Sequence, residues 1–212
     1  MTAYERANEF REIVYNDHNK SVRCLEYIDK YDNFYDTFSS GGFSALILAC
    51  ANGLELVAYK LIDRGAKVNI KCSSGHTPLS VAIRYGNMSQ PQYTNLIRTL
   101  IKNGADVSTI QYEKSILLYA LLKFVDREIV MMLIEAGADY VDAFDKIKQI
   151  KLTRYNNIDD KYICELIEYI KDRYRKQIIL TIDDTSPDNQ LFKSFRTTYV
   201  SGVINIITNF IL

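Results

Sequence analysis

Gly75-His76-Thr77-Pro78-Leu79-Ser80-Val81-Ala82 is the stretch from which the fold of this chain can be read. Thr77 offers a hydroxyl N-cap, and Pro78 stands at the first helical position, where its missing N–H costs nothing. The pair predicts a helix start at Thr77. Gly86 is expected to stop that helix in a left-handed conformation that satisfies orphan carbonyls. Further on, Leu96, Ile97, Leu100 and Ile101 recur at helical spacing, which predicts a second helix. Gly104-Ala105-Asp106-Val107 then ends it, with Gly104 just past the last turn.

The same helix–turn–helix unit recurs on either side. Upstream it reads Gly42-Phe43-Ser44-Ala45-Leu46-Ile47-Leu48-Ala49, then Asn52-Gly53, then Leu56, Val57, Leu61, Ile62 and Gly65-Ala66-Lys67-Val68-Asn69. Downstream it reads Ser115-Ile116-Leu117-Leu118-Tyr119-Ala120, then Ile129, Val130, Leu133, Ile134 and Gly137-Ala138-Asp139. Gly42 and Gly75 stand 33 residues apart, as do Gly104 and Gly137. Gly65 and Gly104 stand 39 apart, which places a six-residue insertion near Met88–Tyr93, between two predicted helices. Ser44 and Ser115 take the capping place of Thr77. Ala49, Ala82 and Ala120 are expected to be buried, so that neighbouring helices approach closely. One such unit cannot bury its apolar stripe alone, so the units must stack.

These units resemble ankyrin repeats, whose pattern is approximately G-x-T-P-L-H-x-A-A-x-x-G followed by I-V-x-x-L-L-x-x-G-A-x-V-N. Gly75-His76-Thr77-Pro78-Leu79 carries the resemblance best, and Gly65-Ala66-Lys67-Val68-Asn69 supports it. Ser80 and Ile47 replace the pattern histidine. The third unit lacks both starting glycines and carries one extra residue around Val125-Asp126-Arg127. The resemblance covers about residues 37–143. It implies an all-α solenoid of stacked helix-turn-helix units with short hairpin loops.

The flanks are read as degenerate caps. Ala3–Tyr15 and Lys20–Lys30 are predicted helices, with Phe10, Ile13, Val14, Val22, Leu25 and Ile28 inward and Glu5, Arg6, Glu12 and Arg23 outward. A short helix over Asp145–Arg154 and a longer one over Asp159–Lys176 are expected to close the stack. A tail then begins at Ile178-Ile179-Leu180-Thr181-Ile182, breaks at Asp183–Asn189 and ends in an amphipathic helix over Thr198–Leu212. The expected organisation is thus caps over 1–36, repeats over 37–71, 72–110 (with the insertion at 88–93) and 111–143, a degenerate repeat over 144–177, and a tail over 178–212.

Composition narrows the function. Twenty-six basic residues balance 26 acidic ones, which argues against non-specific nucleic-acid binding. No apolar run reaches the ~18 residues of a membrane span, and the N-terminus lacks the apolar core of a signal peptide. Cys24, Cys50, Cys72 and Cys164 form no C-x-x-C pair and are read as free thiols in a reducing compartment. With only His18 and His76 beside them, no metal site and no cofactor are expected. A cytoplasmic location is expected. Few prolines with abundant Ile, Asn and Lys fit an AT-rich coding sequence, as in a large DNA virus, an intracellular bacterium or a protist.

No nucleophile elbow, P-loop, dinucleotide or zincin motif occurs. The pairs Asp159-Asp160 and Asp183-Asp184 point apart along the chain and suit solvated turns. Arg173-Tyr174-Arg175-Lys176 suits a helix C-terminus, where cations offset the dipole. An enzyme would need its site in the tail from Ile178 onward, and none is expected.

The resemblance implies a partner protein bound on the concave face, through hairpin tips and the ends of the first helices. By position these are Ser40, Phe43, Ser73, Ser74, His76, Gln111, Tyr112 and Lys114 at the tips, and Asn52, Arg84, Tyr85 and Lys123 on the helices. His76 is expected to face solvent. The chain is read as a monomer, with 198–212 as a route to self-association. An alternative is an adaptor that recruits a target to a ubiquitin-ligase component through that terminal helix. The proline and tryptophan of an F-box-like segment are missing from it.

Overall fold

The computed structural model describes residues 1–86, 91–111, 114–123, 125–152 and 160–183. The chain divides into one unit over Met1–Ile147 and another over Lys148–Leu212. The first unit contains α1 (Ala3–Asn16), α2 (Lys20–Lys30), α3 (Ala45–Ala51), α4 (Glu55–Asp63), α5 (Pro78–Tyr85), α6 (Pro91–Lys102), α7 (Ile116–Leu122) and α8 (Arg127–Glu135). Strands β1 (Ile110–Gln111) and β2 (Lys114–Ser115) precede α7.

The helices pair as α1–α2, α3–α4, α5–α6 and α7–α8. The pairs stack in two layers. First helices follow one another as α1, α3, α5, α7, and second helices as α2, α4, α6, α8. Isolated helices shorter than ~12–15 residues are marginal in water, so seven-residue α3 and α7 exist only through this packing. Ala45–Cys50 are all buried, and Ala49, Ala82 and Ala120 are fully so.

Local chemistry sets each helix's ends. Thr2 and Glu5 form a reciprocal capping box on α1, and Ser44, Thr77 and Ser115 cap α3, α5 and α7. At the end of α6 the Gly104 N–H donates to the Ile101 carbonyl and the Ala105 N–H to Leu100. This double bond pattern requires the left-handed φ of +80° at Gly104. Gly65 and Gly137 repeat it 39 residues upstream and 33 downstream. Gly86 departs from expectation: its φ is −63°, so α5 runs out into extended backbone rather than turning back.

Bonds at repeat spacing lock one unit to the next. The Asn69 side-chain amide donates to the Gly104 carbonyl at 2.8 Å, and its oxygen accepts the Asp106 N–H at 2.7 Å. One unit earlier, Asp36 accepts the Lys67 N–H at 2.9 Å. Among second helices, Asp29 of α2 pairs with Lys60 of α4 and with Arg64 at its C-cap, and Arg98 of α6 pairs with Glu128 of α8.

The leading pair is built around aromatic rings. Phe34 lies 5.3 Å from Phe10 and 5.4 Å from Tyr27 between centroids, and the Tyr27 hydroxyl donates to Glu9 at 2.8 Å. That arrangement turns α2 so that Cys24, Tyr27 and Ile28 face inward, while Val22, expected inside, is exposed. Leu56 on α4 is likewise 63% exposed, with Val57, Ala58 and Leu61 inside. Burial pushes the Cys24 thiol up to about 12 and raises that of Cys50 as well, so both stay protonated and inert at neutral pH.

Pro91–Tyr93, expected in the inserted loop, form the first turn of α6. Tyr93 is buried, and a Cβ built on Gly53 would meet its ring at 2.7 Å. Met88–Gln90 lie outside the described residues.

Helix α9 (Tyr140–Leu152) buries Ala143, Phe144 and Ile147. In the second unit, α10 (Asp160–Asp183) buries Ile163, Leu166 and Ile170. It runs through Ile178–Ile182, which the sequence reading assigned to the tail, because no proline or glycine interrupts residues 160–183. The expected terminal helix over Thr198–Leu212 lies outside the described residues.

Two glycine substitutions test the helix ends. A Cβ at Gly104 meets nothing within 4 Å, so Gly104→Ala should cost backbone strain alone, about 1 kcal/mol. Gly53 has φ +63° and the Tyr93 ring beside it, so Gly53→Ala should cost more in urea denaturation. Equal losses, or none, contradict this geometry.

Candidate protein-binding face

Three hairpin tips precede the first helices and rest on repeated backbone bonds. The Ser39 N–H donates to the Phe43 carbonyl and the Gly42 N–H to Ser39. The Cys72 N–H donates to the His76 carbonyl and the Gly75 N–H to Cys72. The third tip is the β1–β2 ladder, with Ile110 opposite Ser115 and Gln111 opposite Lys114. Glu113, at the place of Gly42 and Gly75, lies outside the described residues. Thr77 and Ser80 fasten the second tip to α5. The Ser80 hydroxyl accepts the Thr77 N–H at 2.9 Å, and the Thr77 hydroxyl accepts the Ser80 N–H at 3.2 Å. The serine in place of the pattern histidine thus completes a capping box.

An open groove of about 310 Å³ lies on the first-helix layer. Ile47 of α3 and Val81 of α5 line its floor, together with Leu48 and Ala51. Phe43 and His76 come from consecutive tips, and Asn52 and Tyr85 from consecutive helix ends. Four of the expected contact residues therefore converge on one depression. Tyr15 of α1 adds a further wall, with the Arg11 guanidinium 5.3 Å from its ring centroid.

His76 does not face solvent as expected. It is 6% exposed, and its ring stands edge-on to Tyr85 at 6.3 Å between centroids. The ring packs on the tyrosine and forms part of the groove wall. Asn52 donates its amide to the Leu48 carbonyl at 2.9 Å and so closes α3 as well as lining the groove.

Beside the groove lies a cation–aromatic cluster. The Arg84 guanidinium is 5.3 Å from the Tyr85 centroid and 5.4 Å from that of Tyr119. The Lys114 ammonium is 5.8 Å from Tyr119, and the Lys123 ammonium donates to the Arg84 carbonyl. Ser40, Ser73 and Ser74 are exposed at the tips, and the Ser40 N–H donates to Asn8 at 2.6 Å. Gln111 takes its place in β1, and Tyr112 lies outside the described residues.

Two tyrosines escaped the sequence reading. Tyr119 stands at the same unit position as Leu48 and Val81, four residues after the capping residue, and that alignment was the available signal. Tyr15 lies outside the three aligned units and had none.

The sequence model of a family described as ankyrin repeats (3 copies) matches residues 11–111 and, in a second placement, 46–143. The chain belongs to the ankyrin-repeat family. No curated protein sequence matches it. The family match begins within α1, so it takes in part of the leading helix pair of the ankyrin array. Ankyrin repeats generally mediate protein–protein interaction, and proteins built from them are typically non-catalytic. Among the described residues of this array no group of three or more His, Cys, Asp or Glu could hold a metal ion. No described helix is long and apolar enough to cross a membrane.

The Thr77–Ser80 box holds the second tip of the array. Thr77→Ala should cost about 1 kcal/mol of stability and speed hydrogen exchange at the Ser80 amide. An unchanged exchange rate would show that the tip is held by other bonds.

Proposed function

We propose that this chain is a non-catalytic module that binds a partner protein on the concave face made by its hairpin tips and first helices. The observation that carries this reading is the convergence of Phe43, Asn52, His76 and Tyr85, from two successive repeats, on one apolar groove. Beside that groove stand Arg84 and Tyr119. Tyr and Arg are the side chains that concentrate binding energy, since each joins a large contact area to hydrogen bonding. The scaffold beneath them is already ordered: Ile47, Val81 and Ala82 are buried in the stack. Binding therefore costs the module little conformational entropy, and the partner bears most of any ordering cost. Cys24, Cys50, Cys72 and Cys164 are free thiols, which suits action in a reducing compartment such as the cytoplasm.

The test uses a partner recovered by affinity purification from the native cell and then purified. Arg84→Ala with Tyr85→Ala should weaken its binding by about ten-fold or more. Stability should fall by only about 1 kcal/mol, from loss of the Arg84 cation–π contacts and of the packing of Tyr85 on His76. Undiminished capture would dismiss the first-helix face as the binding surface.

A further inference from the structure

We infer that Asn103-Gly104 is a site at which this chain modifies itself. The Gly104 backbone nitrogen displaces the side-chain amide of Asn103, and the product loosens the bonds that join two repeats. The sequence holds two Asn-Gly pairs, Asn52-Gly53 and Asn103-Gly104. Each stands directly after a helix, α3 and α6, with its glycine in a left-handed conformation. Glycine has no Cβ to shield its nitrogen, so that nitrogen can reach the asparagine Cγ once the helix end opens.

The step balances with water as its one co-reactant. A bond forms between the Gly104 nitrogen and Asn103 Cγ, the Cγ–Nδ2 bond breaks, and ammonia leaves with the proton that the Gly104 nitrogen gives up. Water then opens the cyclic imide. Opening at Cγ leaves an aspartate. Opening at the backbone carbonyl leaves an isoaspartate, whose main chain is longer by one methylene.

The two pairs differ in what opening costs. Asn103 Nδ2 donates to the Thr99 carbonyl at 2.9 Å, and the Gly104 N–H to Ile101 at 3.0 Å. Asn52 donates to Leu48 at 2.9 Å, and the Gly53 N–H to Cys50 at 3.4 Å. The longer Gly53 bond favours Asn52, but burial decides against it. Six of the seven residues of α3 are buried, and the Tyr93 ring packs on Gly53, so freeing that end disturbs the core. Asn103 and Gly104 are exposed, and a Cβ built on Gly104 meets nothing within 4 Å. The end of α6 therefore opens locally, with the core intact and water at hand.

Asn103-Gly104 also lies in the joint between repeats. Asn69 donates to the Gly104 carbonyl and accepts the Asp106 N–H. Either product removes the donor to Thr99 and sets a negative charge at the C-terminal end of α6, where the helix dipole opposes it. Isoaspartate also shifts the Gly104 carbonyl away from Asn69. The bonds from Asn69 thus restrain the reaction and are weakened by it.

The experiment incubates the full chain under mildly alkaline conditions, folded and in urea, and locates the amide-to-acid mass gain by peptide mapping with digestion at mildly acidic pH. In the folded chain Asn103 should convert about ten-fold faster than Asn52, and in urea the two should convert at similar rates. Asn69→Ala should speed conversion at Asn103 about three-fold and leave Asn52 unchanged. Converted chain, separated by ion exchange, should exchange its Asp106 amide hydrogen faster than intact chain. Conversion at Asn52 that matches or outpaces Asn103 in the folded chain, no conversion at Asn103 there, or a rate indifferent to Asn69→Ala would each overturn the inference. Unaltered exchange at Asp106 in the converted chain would overturn the loosening of the joint.

Discussion

The apolar stripe of each short helix is larger than its own partner helix can cover, and that excess drives the whole architecture. Helix α3 buries six of its seven residues, Ala45 to Cys50, and it does so only by touching α1, α4 and α5 at once. The same holds along both layers, so each pair is stable because its neighbours are present. Stability in such an array is a sum of unit terms and nearest-neighbour terms. The bonds from Asn69 to the backbone at Gly104 and Asp106 show the neighbour term in polar form. They join one unit to the next through the same loop that the Gly104 helix end creates.

Stacking of this kind spares one surface. The second helices meet solvent through charged residues that pair across the stack, as Asp29 does with Lys60 and Arg64. Of the first helices, α3 and α5 meet it through Tyr85, Arg84 and the groove above Ile47 and Val81. The two surfaces therefore differ in kind: one is laced by ion pairs between repeats, and the other, over α3 and α5, presents an apolar groove walled by aromatic rings. A rigid floor with few charged groups to desolvate suits the reception of another chain.

Much of this was legible in the residues. Thr77-Pro78, the Gly-Ala pairs at 65, 104 and 137, and the apolar spacing of α6 and α8 report local rules that tertiary contacts reinforce. Reading failed where a tertiary contact overrode the local pattern. Val22 and Leu56 have helical spacing to their credit, yet Tyr27 and Ala58 take the inward places. Gly86 could have turned left-handed, yet α5 leaves in an extended path. His76 is polar at a loop tip, yet Tyr85 holds its ring in the wall of the groove. Tyr93 looked like loop, yet Pro91 starts a helix there and the absent side chain of Gly53 leaves room for its ring. The proposed binding face was read as positions along the repeat. Its groove was not, because the groove is a gap between side chains of different repeats, and no single unit encodes it.

The most direct measurement of the central claim is amide hydrogen exchange of the full chain with and without its purified partner. Bound partner should slow exchange at the tips around Ser73–His76 and at the ends of α3 and α5, near Asn52 and Tyr85. It should leave the solvent side of α4, around Leu56, unchanged. Protection confined to the second helices, with the tips exchanging as before, would contradict the account.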